Sequence, residues 1–288
     1  MRVVITGAGG MLGRELVSRF QSSHCLPLTH GDLDVSDYRQ VRERLEPLRP
    51  DLVIHTAALT DVDGCELQPD RAYAVNALGT ENVALACQSV GAVMLYVSTN
   101  CVFAGDAGSP YREFDRPNPS NVYGRSKLAG EEALRGLLPR HYVVRTSWLF
   151  GLGRRNFVTT VLDLAATGKP LRIVDDEIGS PTYVPDLAAA IYDLIQSDRF
   201  GTYHLANEGF CSRFELARTV LASAGVATPI EKMALAAFSR PAPTPPFTPL
   251  HNFAAATSLG IRLRPWSESL SEYLRTIAGS HAPLERAS

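Results

Sequence analysis

The stretch Thr6-Gly7-Ala8-Gly9-Gly10-Met11-Leu12-Gly13 constrains this chain more than any other. It follows a short β-branched run, Val3 to Thr6, and leads into helical spacing at Leu12, Leu16, Val17 and Phe20. Gly7, Gly10 and Gly13 thus form Gly-x-x-Gly-x-x-Gly at a strand-to-helix turn. Such a turn lets a diphosphate approach backbone N–H groups and the positive end of a helix without meeting a Cβ. The pattern predicts a dinucleotide site rather than a turn whose glycines serve packing alone. No Gly-Lys-Ser or Gly-Lys-Thr follows, so a nucleotide triphosphatase loop is not expected.

The rest of the first half keeps the same rhythm. Cys25 to Leu28, Leu52 to His55, Val93 to Val97 and Tyr142 to Val144 read as strands. Asp37 to Glu46, Pro69 to Val90 and the segment Tyr123 to Leu138 lie between them, the first two with helical character. Apolar strands without strict alternation, each feeding a helix, predict an α/β fold: a Rossmann-type parallel sheet with helices on both faces. Further on, helices are expected over Asn156 to Ala166, over Asp186 to Leu194, after the capping box Ser212-x-x-Glu215, and from Pro265 to Ile277. Arg240 to Leu250 holds five prolines, which excludes a central strand or helix interior and favours a binding wall over a lid or linker. The residues from about Ser280 carry no apolar pattern and are expected to fray.

Composition narrows the partners. The 28 basic and 30 acidic residues leave a formal charge of -2, which provides no field for a phosphate backbone, so nucleic acid is not an expected partner. The five cysteines, widely spaced and without Cys-x-x-Cys, predict neither disulfides nor a zinc site. The seven histidines form no metal motif, so no metal site is expected. No apolar run approaches the ~20 residues of a membrane span, and Met1 to Gly7 reads as a strand rather than a signal peptide. A cytoplasmic protein is expected.

Three side chains beyond the glycine turn carry candidate chemistry. Tyr123 and Lys127, four residues apart in Tyr-Gly-Arg-Ser-Lys, share a face on a helix and suit an acid–base pair. A neighbouring ammonium is expected to lower the tyrosine pKa. Ser98 and Thr99 end an apolar strand, on the ligand side of a parallel sheet. Asp32, with Asp34 and Asp37 as rivals, is placed to bond an adenosine ribose, whereas Arg14, Arg19 and His30 offer partners for an extra phosphate. NAD and NADP both remain open.

In sequence the chain resembles the extended short-chain dehydrogenase/reductase family, and within it the reductases of dTDP-4-keto-6-deoxyhexoses, over about residues 2 to 278. The resemblance lies in the glycine turn, Gly31-Asp32-Leu33-Asp34-Val35, Ala57-Ala58-Leu59-Thr60-Asp61-Val62-Asp63, Val75-Asn76, Ser98-Thr99, Val102-Phe103 and Tyr123 to Glu131. It continues through Arg145-Thr146-Ser147-Trp148, Asn156-Phe157, Gly179-Ser180-Pro181-Thr182 and Asp186-Leu187-Ala188. It implies residues 1–150 as mainly an NAD(P)-binding Rossmann domain and 151–288 as mainly a smaller substrate-binding domain, with some segments returning to the first. It implies catalysis by Thr99, Tyr123 and Lys127 without a metal. Cofactor contacts, to NADPH or NADH, would come from Gly7, Gly10, Met11, Leu12, Asp32, Leu33, Ala57, Ala58, Thr60, Ser98, Tyr123 and Lys127, with Asn76 a further candidate. Substrate contacts would come from Val62, Thr99, Tyr123, Trp148 and Arg240.

The implied reaction is reduction of the C4 ketone of a dTDP-4-keto-6-deoxyhexose, first of all dTDP-4-dehydrorhamnose to dTDP-L-rhamnose, in a homodimer. Departures from the family pattern keep two alternatives: another nucleotide-linked 4-ketosugar, or a non-catalytic regulatory subunit of the same fold. Asn100 and Cys101 stand where the family carries aspartate and tyrosine, Leu59 where tyrosine is common, and Glu177 where glutamine is common. The stretch after Arg240-Pro241 is a proline-rich variant.

Overall fold

A computed structural model describes residues 1–21 and 24–280. The fraying expected beyond Ser280 lies outside the described residues. The chain opens with β1 (Arg2–Thr6), α1 (Met11–Arg19), β2 (His24–Leu28), α2 (Tyr38–Leu45) and β3 (Leu52–His55). Next come α3 (Val62–Leu67), α4 (Pro69–Tyr73), α5 (Gly79–Val90), β4 (Val93–Thr99), α6 (Val122–Leu137) and β5 (His141–Thr146). Strands β1, β3, β4 and β5 are apolar on both faces because helices cover both, whereas the edge strand β2 buries only Leu28. Val3, Ile5, Ile54, Leu95 and Val144 point to one core, and Val4, Val53, Met94, Tyr96 and Val143 to the other.

The second half supplies β6 (Leu149–Phe150), α7 (Phe157–Ala165), β7 (Leu171–Val174), β8 (Ile178–Gly179), β9 (Thr182–Tyr183) and α8 (Val184–Ile195). It then adds β10 (Gly201–His204), β11 (Cys211–Ser212), α9 (Arg213–Ser223), β12 (Ile230–Met233), α10 (Phe253–Leu259) and α11 (Trp266–Ser280). The main sheet has the order β10-β5-β4-β3-β1-β2, every pair parallel. Strand β10 and helix α8 return to this sheet, where Leu187, Ile191 and Leu194 pack against Val3, Ile5 and Leu12. A separate, smaller core joins α7, α9 and α11 through Val158, Val161, Leu216, Val220, Leu270 and Tyr273. This is a Rossmann-type sheet with a smaller C-terminal domain. Among the described residues no helix is long and apolar enough to cross a membrane.

One expectation needs correction, and one helix is new. The helix expected over Pro69 to Val90 is interrupted by a π-turn at Ala74–Leu78. There Asn76, fully buried, turns inward to accept from the Leu59 amide at 2.8 Å and to donate to the Leu59 carbonyl at 3.1 Å. Helix α3, capped by Asp61, was not expected at all, being only six residues long. The small strands β6, β8, β9 and β11 have two residues each, too few to show a period.

Candidate active site

The strand order reverses between β1 and β3, so the loops after these strands diverge and leave a crevice at their carboxyl ends. Gly7 lines it with φ +69°, and a Cβ there would lie 2.5 Å from the Ala57 amide nitrogen. Gly13 presses its backbone on the Gly7 carbonyl with no room for a Cβ. Gly10 is the N-cap of α1 and gives it no side-chain cap, so the first amides of the helix, at Met11 and Leu12, remain for a ligand. A cradle of glycines at an uncapped helix start fits the diphosphate of a dinucleotide.

The remaining cofactor candidates fall around the same crevice, but not all through their side chains. Asp32 lies beyond β2, where its Oδ2 accepts from the Thr29 amide at 2.9 Å and the Thr29 hydroxyl at 2.6 Å, which holds its carboxyl below the usual range. Leu33 is buried in the core, leaving only its backbone for a ligand. Ala57 and Ala58 are half-buried and Thr60 is exposed in the loop that Asn76 pins. Ser98 departs from expectation. Its hydroxyl donates to Glu131 Oε1 at 2.5 Å, away from the crevice, because β4 turns alternate residues toward α6.

Glu131 is the anchor behind the site. It is fully buried and bidentate with Arg145 of β5, at 2.9 and 2.7 Å, and also accepts from Arg135 at 2.6 Å. Burial alone would raise its pKa; Arg145, Arg135 and Ser98 together hold it below the ordinary value. The pair fixes α6 on the sheet, and α6 carries Tyr123 and Lys127. No spacing in the sequence links residues 98, 131 and 145, so this clamp was not foreseen.

Helix α6 begins at an Asn121 cap that accepts from the Gly124 amide at 2.8 Å. Gly124 packs on the Cys101 carbonyl with no space for a Cβ, which draws the first turn of α6 onto the residues just after Thr99. Tyr123 and Thr99 are thereby brought together. Burial pushes the Tyr123 phenol well above its usual range, with the Thr99 hydroxyl opposing. The direction reverses the expectation from Lys127, because that ammonium is turned elsewhere. Lys127 Nζ donates to the Val97 carbonyl at 2.7 Å and sits 4.0 Å above the centre of the Tyr96 ring. Burial lowers Lys127 to about 7. Beneath it His55, fully buried between Thr6 and Thr80, is pushed down to about 3 by burial and by Lys127, and stays neutral.

Thr99 is itself held in place: its Oγ1 accepts from the Cys101 amide at 3.1 Å and donates to Asn100 Oδ1 at 3.2 Å. Asn100 Nδ2 then donates to Thr248 Oγ1 at 2.7 Å, in the proline-rich stretch. That stretch runs without helix or strand from Arg240 to Pro249 and is tied down along its length. Arg240 and the Ala242 amide both reach Asp63 Oδ1, at 2.9 and 3.1 Å; Asn121 Nδ2 donates to the Pro243 carbonyl at 2.9 Å; Ile178 exchanges backbone bonds with Pro246 and Thr248. Val62, half-buried at the start of α3, stands beside Asp63 at one end of this strap.

Trp148 closes the other side, half-buried, with φ +44°, a left-handed backbone that a bulky residue adopts only when its surroundings impose it. They do so here: a Cβ on Gly179 would fall 2.5 Å from the indole Cε2, and the Arg213 guanidinium lies 3.5 Å from the ring centre. Arg213 and its partner Glu177 were not among the expected site residues. Among the described residues no group of three or more His, Cys, Asp or Glu is placed to hold a metal ion.

Comparison with known proteins gives one family. The model of the RmlD substrate binding domain matches residues 1–278. The spore coat polysaccharide biosynthesis protein SpsK of Bacillus subtilis is 40% identical over 276 residues, covering 95% of this chain and 97% of that protein. A dTDP-4-dehydrorhamnose reductase of Mycobacterium tuberculosis is 41% identical over 289 residues, covering 97% and 94%. The crystal structure of dTDP-4-dehydrorhamnose reductase from Bacillus anthracis in complex with NADP superposes with a TM-score of 0.92 at 38% identity, covering 96% of this chain and 99% of that one.

Proposed function

The chain belongs to the RmlD substrate-binding-domain family, and from that premise we propose that it reduces the C4 ketone of a dTDP-4-keto-6-deoxyhexose with NAD(P)H, converting dTDP-4-dehydrorhamnose to dTDP-L-rhamnose. The observation that carries this reading is the packing of α6, with Tyr123 and Lys127, onto Thr99 at the carboxyl end of β4, in the same sheet whose β1 leads into the uncapped start of α1. NADPH or NADH, when bound, supplies the hydride. Gly7, Gly10, Met11 and Leu12 would hold its diphosphate, Asp32 and the Leu33 backbone its adenosine, and the Ala57–Thr60 loop and Lys127 the remainder. Ser98 would contribute only through its backbone.

The protein's own groups manage the proton. Burial keeps the Tyr123 phenol protonated at neutral pH, so it serves as a proton donor to the oxygen that develops negative charge at C4. Thr99 re-aims its hydroxyl toward that oxygen at the cost of a long, 3.2 Å bond to Asn100. Lys127, on the same helix face and held by the Val97 carbonyl, would bind the ribose of the cofactor; the Thr99 hydroxyl makes the phenolate left behind on Tyr123 less costly. Trp148, Val62 and Arg240 would border the sugar nucleotide. The 151–288 part serves mainly this purpose, and the 1–150 part mainly the cofactor. The reading includes a cytoplasmic homodimer, and the small net charge supports the absence of a nucleic-acid partner.

Incubation with NADPH or NADH and dTDP-4-dehydrorhamnose should consume the cofactor and yield dTDP-L-rhamnose, followed by absorbance and by chromatography of the product. Absence of turnover, with any of a panel of dTDP-4-ketohexoses, rejects the reading. Cys101, a small side chain next to Thr99, favours a second reading in which the ketosugar differs from dTDP-4-dehydrorhamnose around the ring, and the same panel separates the two.

A further inference from the structure

The Glu177–Arg213 pair is built unlike an ordinary surface ion pair. Arg213 donates through both Nε and Nη2, at 3.1 and 3.0 Å, and both bonds end on the same oxygen, Glu177 Oε1. This leaves Arg213 Nη1, a donor, and Glu177 Oε2, an acceptor, without a hydrogen-bond partner among the described residues. The side chains are only 22% and 14% exposed, and the guanidinium is flattened between Trp148 at 3.5 Å and Phe157 at 5.0 Å. Its orientation is fixed a second time by the backbone, since the Arg213 amide donates to the Glu177 carbonyl at 3.1 Å. Through its stack on Trp148, a candidate substrate contact, Arg213 brings the pair to the side of the site where the sugar would lie.

The charges of the pair cancel, so the site offers no net attraction to a diphosphate, and the Glu177 carboxylate opposes one. A sugar hydroxyl is different. It donates and accepts at once, and a fixed N–H beside a fixed carboxylate oxygen satisfies both needs. We propose that Glu177 and Arg213 form a hydroxyl-reading subsite, which selects 4-ketosugars bearing a ring hydroxyl at C2 or C3 over their deoxy counterparts. The inference rests on the reductase reading and adds to it the part of the sugar that decides specificity.

The test is a cycle between residue and substrate. Wild type, Glu177→Ala and Arg213→Gln are compared on dTDP-4-dehydrorhamnose and on its counterparts that lack the hydroxyl at C2 or the one at C3. A missing hydroxyl leaves this half-buried donor and acceptor less well paired, so wild type should lose roughly 10- to 100-fold in kcat/KM on one deoxy sugar. Each variant should lose about as much on the full sugar, mainly in KM, and little more on that deoxy sugar. Losses that multiply on both deoxy sugars, or variants equal to wild type on the full sugar, overturn the subsite while leaving the reductase standing. A wild-type enzyme that reduces none of the sugars overturns both. Glu177→Gln, which keeps the size and one acceptor oxygen, should show a smaller loss with the same non-additivity and covers the case in which the alanine variant does not fold. Product binding followed by Trp148 fluorescence in a Trp266→Phe background reads the same pattern without turnover, as these are the two tryptophans of the chain.

Discussion

Asn100 and Thr248, 148 residues apart, share a buried hydrogen bond of 2.7 Å, and Asn100 is also the acceptor for the Thr99 hydroxyl. The proline-rich strap is thus wired to Thr99, the hydroxyl proposed to hold the reacting oxygen. Asn100→Ala should cost about 1–3 kcal/mol of stability by leaving Thr248 unpaired. It should also raise KM for the ketosugar more than it lowers kcat. Asn100→Asp should be milder, because Thr248 can reverse its role and donate. Steady-state kinetics with denaturant melts checks both; equal effects of the two substitutions would contradict the wiring.

Tyr123→Phe removes the proposed proton donor and leaves the ring. We expect kcat to fall by ~10²–10⁴-fold. Cofactor affinity, followed by fluorescence titration, should stay within roughly twofold. A variant retaining most of its activity would hand the proton to another group.

Lys127 titrates near 7 when folded, against an ordinary value of 10.5, because it is buried. Below about 7 it carries its charge in both the folded and unfolded states, and the folded protein bears the full cost of burying it. As pH rises from 7 toward 10.5 the unfolded chain holds the extra proton, so this cost is progressively relieved. Glu131 opposes the shift, and Cys65 more weakly. Lys127→Met should therefore stabilise the cofactor-free protein at pH 6 and do so less at pH 10. Urea midpoints at the two pH values measure this, and an unchanged difference argues against it.

Ser98→Ala separates support from ligand contact. Losing a bond to a buried carboxylate should cost about 1.5–3 kcal/mol. KM for NADPH should hardly change, since the hydroxyl faces Glu131. A large rise in KM with unchanged stability would place Ser98 back at the ligand. Glu131→Gln, which leaves Arg145 buried without its countercharge, should cost about 3–5 kcal/mol.

Much of the sheet was legible because both of its faces are covered, which writes uninterrupted apolar runs such as Val3 to Ile5 and Leu52 to Ile54. The turn at Gly7 was legible because the close approach of Ala57 admits no side chain there. The orientation of Lys127 was not. A four-residue spacing places it on the face of Tyr123, but whether its ammonium meets the phenol or the Tyr96 ring depends on packing across α6 and β4. Nor was the Arg213 stack on Trp148, a contact across 65 positions made by two short strands and a strained backbone.

The return of β10 and α8 to the main sheet sets a timetable for the nascent chain. Five of the six strands have left the ribosome by Thr146, but β5 still has an open edge. The face made by Val3, Ile5, Leu95 and Val144 still waits for Leu187, Ile191 and Leu194. Until about His204 emerges, the growing polypeptide carries an unfinished sheet and a sticky surface, the state in which chaperones bind and chains aggregate. A gene fragment cut at residue 150 would make that interval permanent.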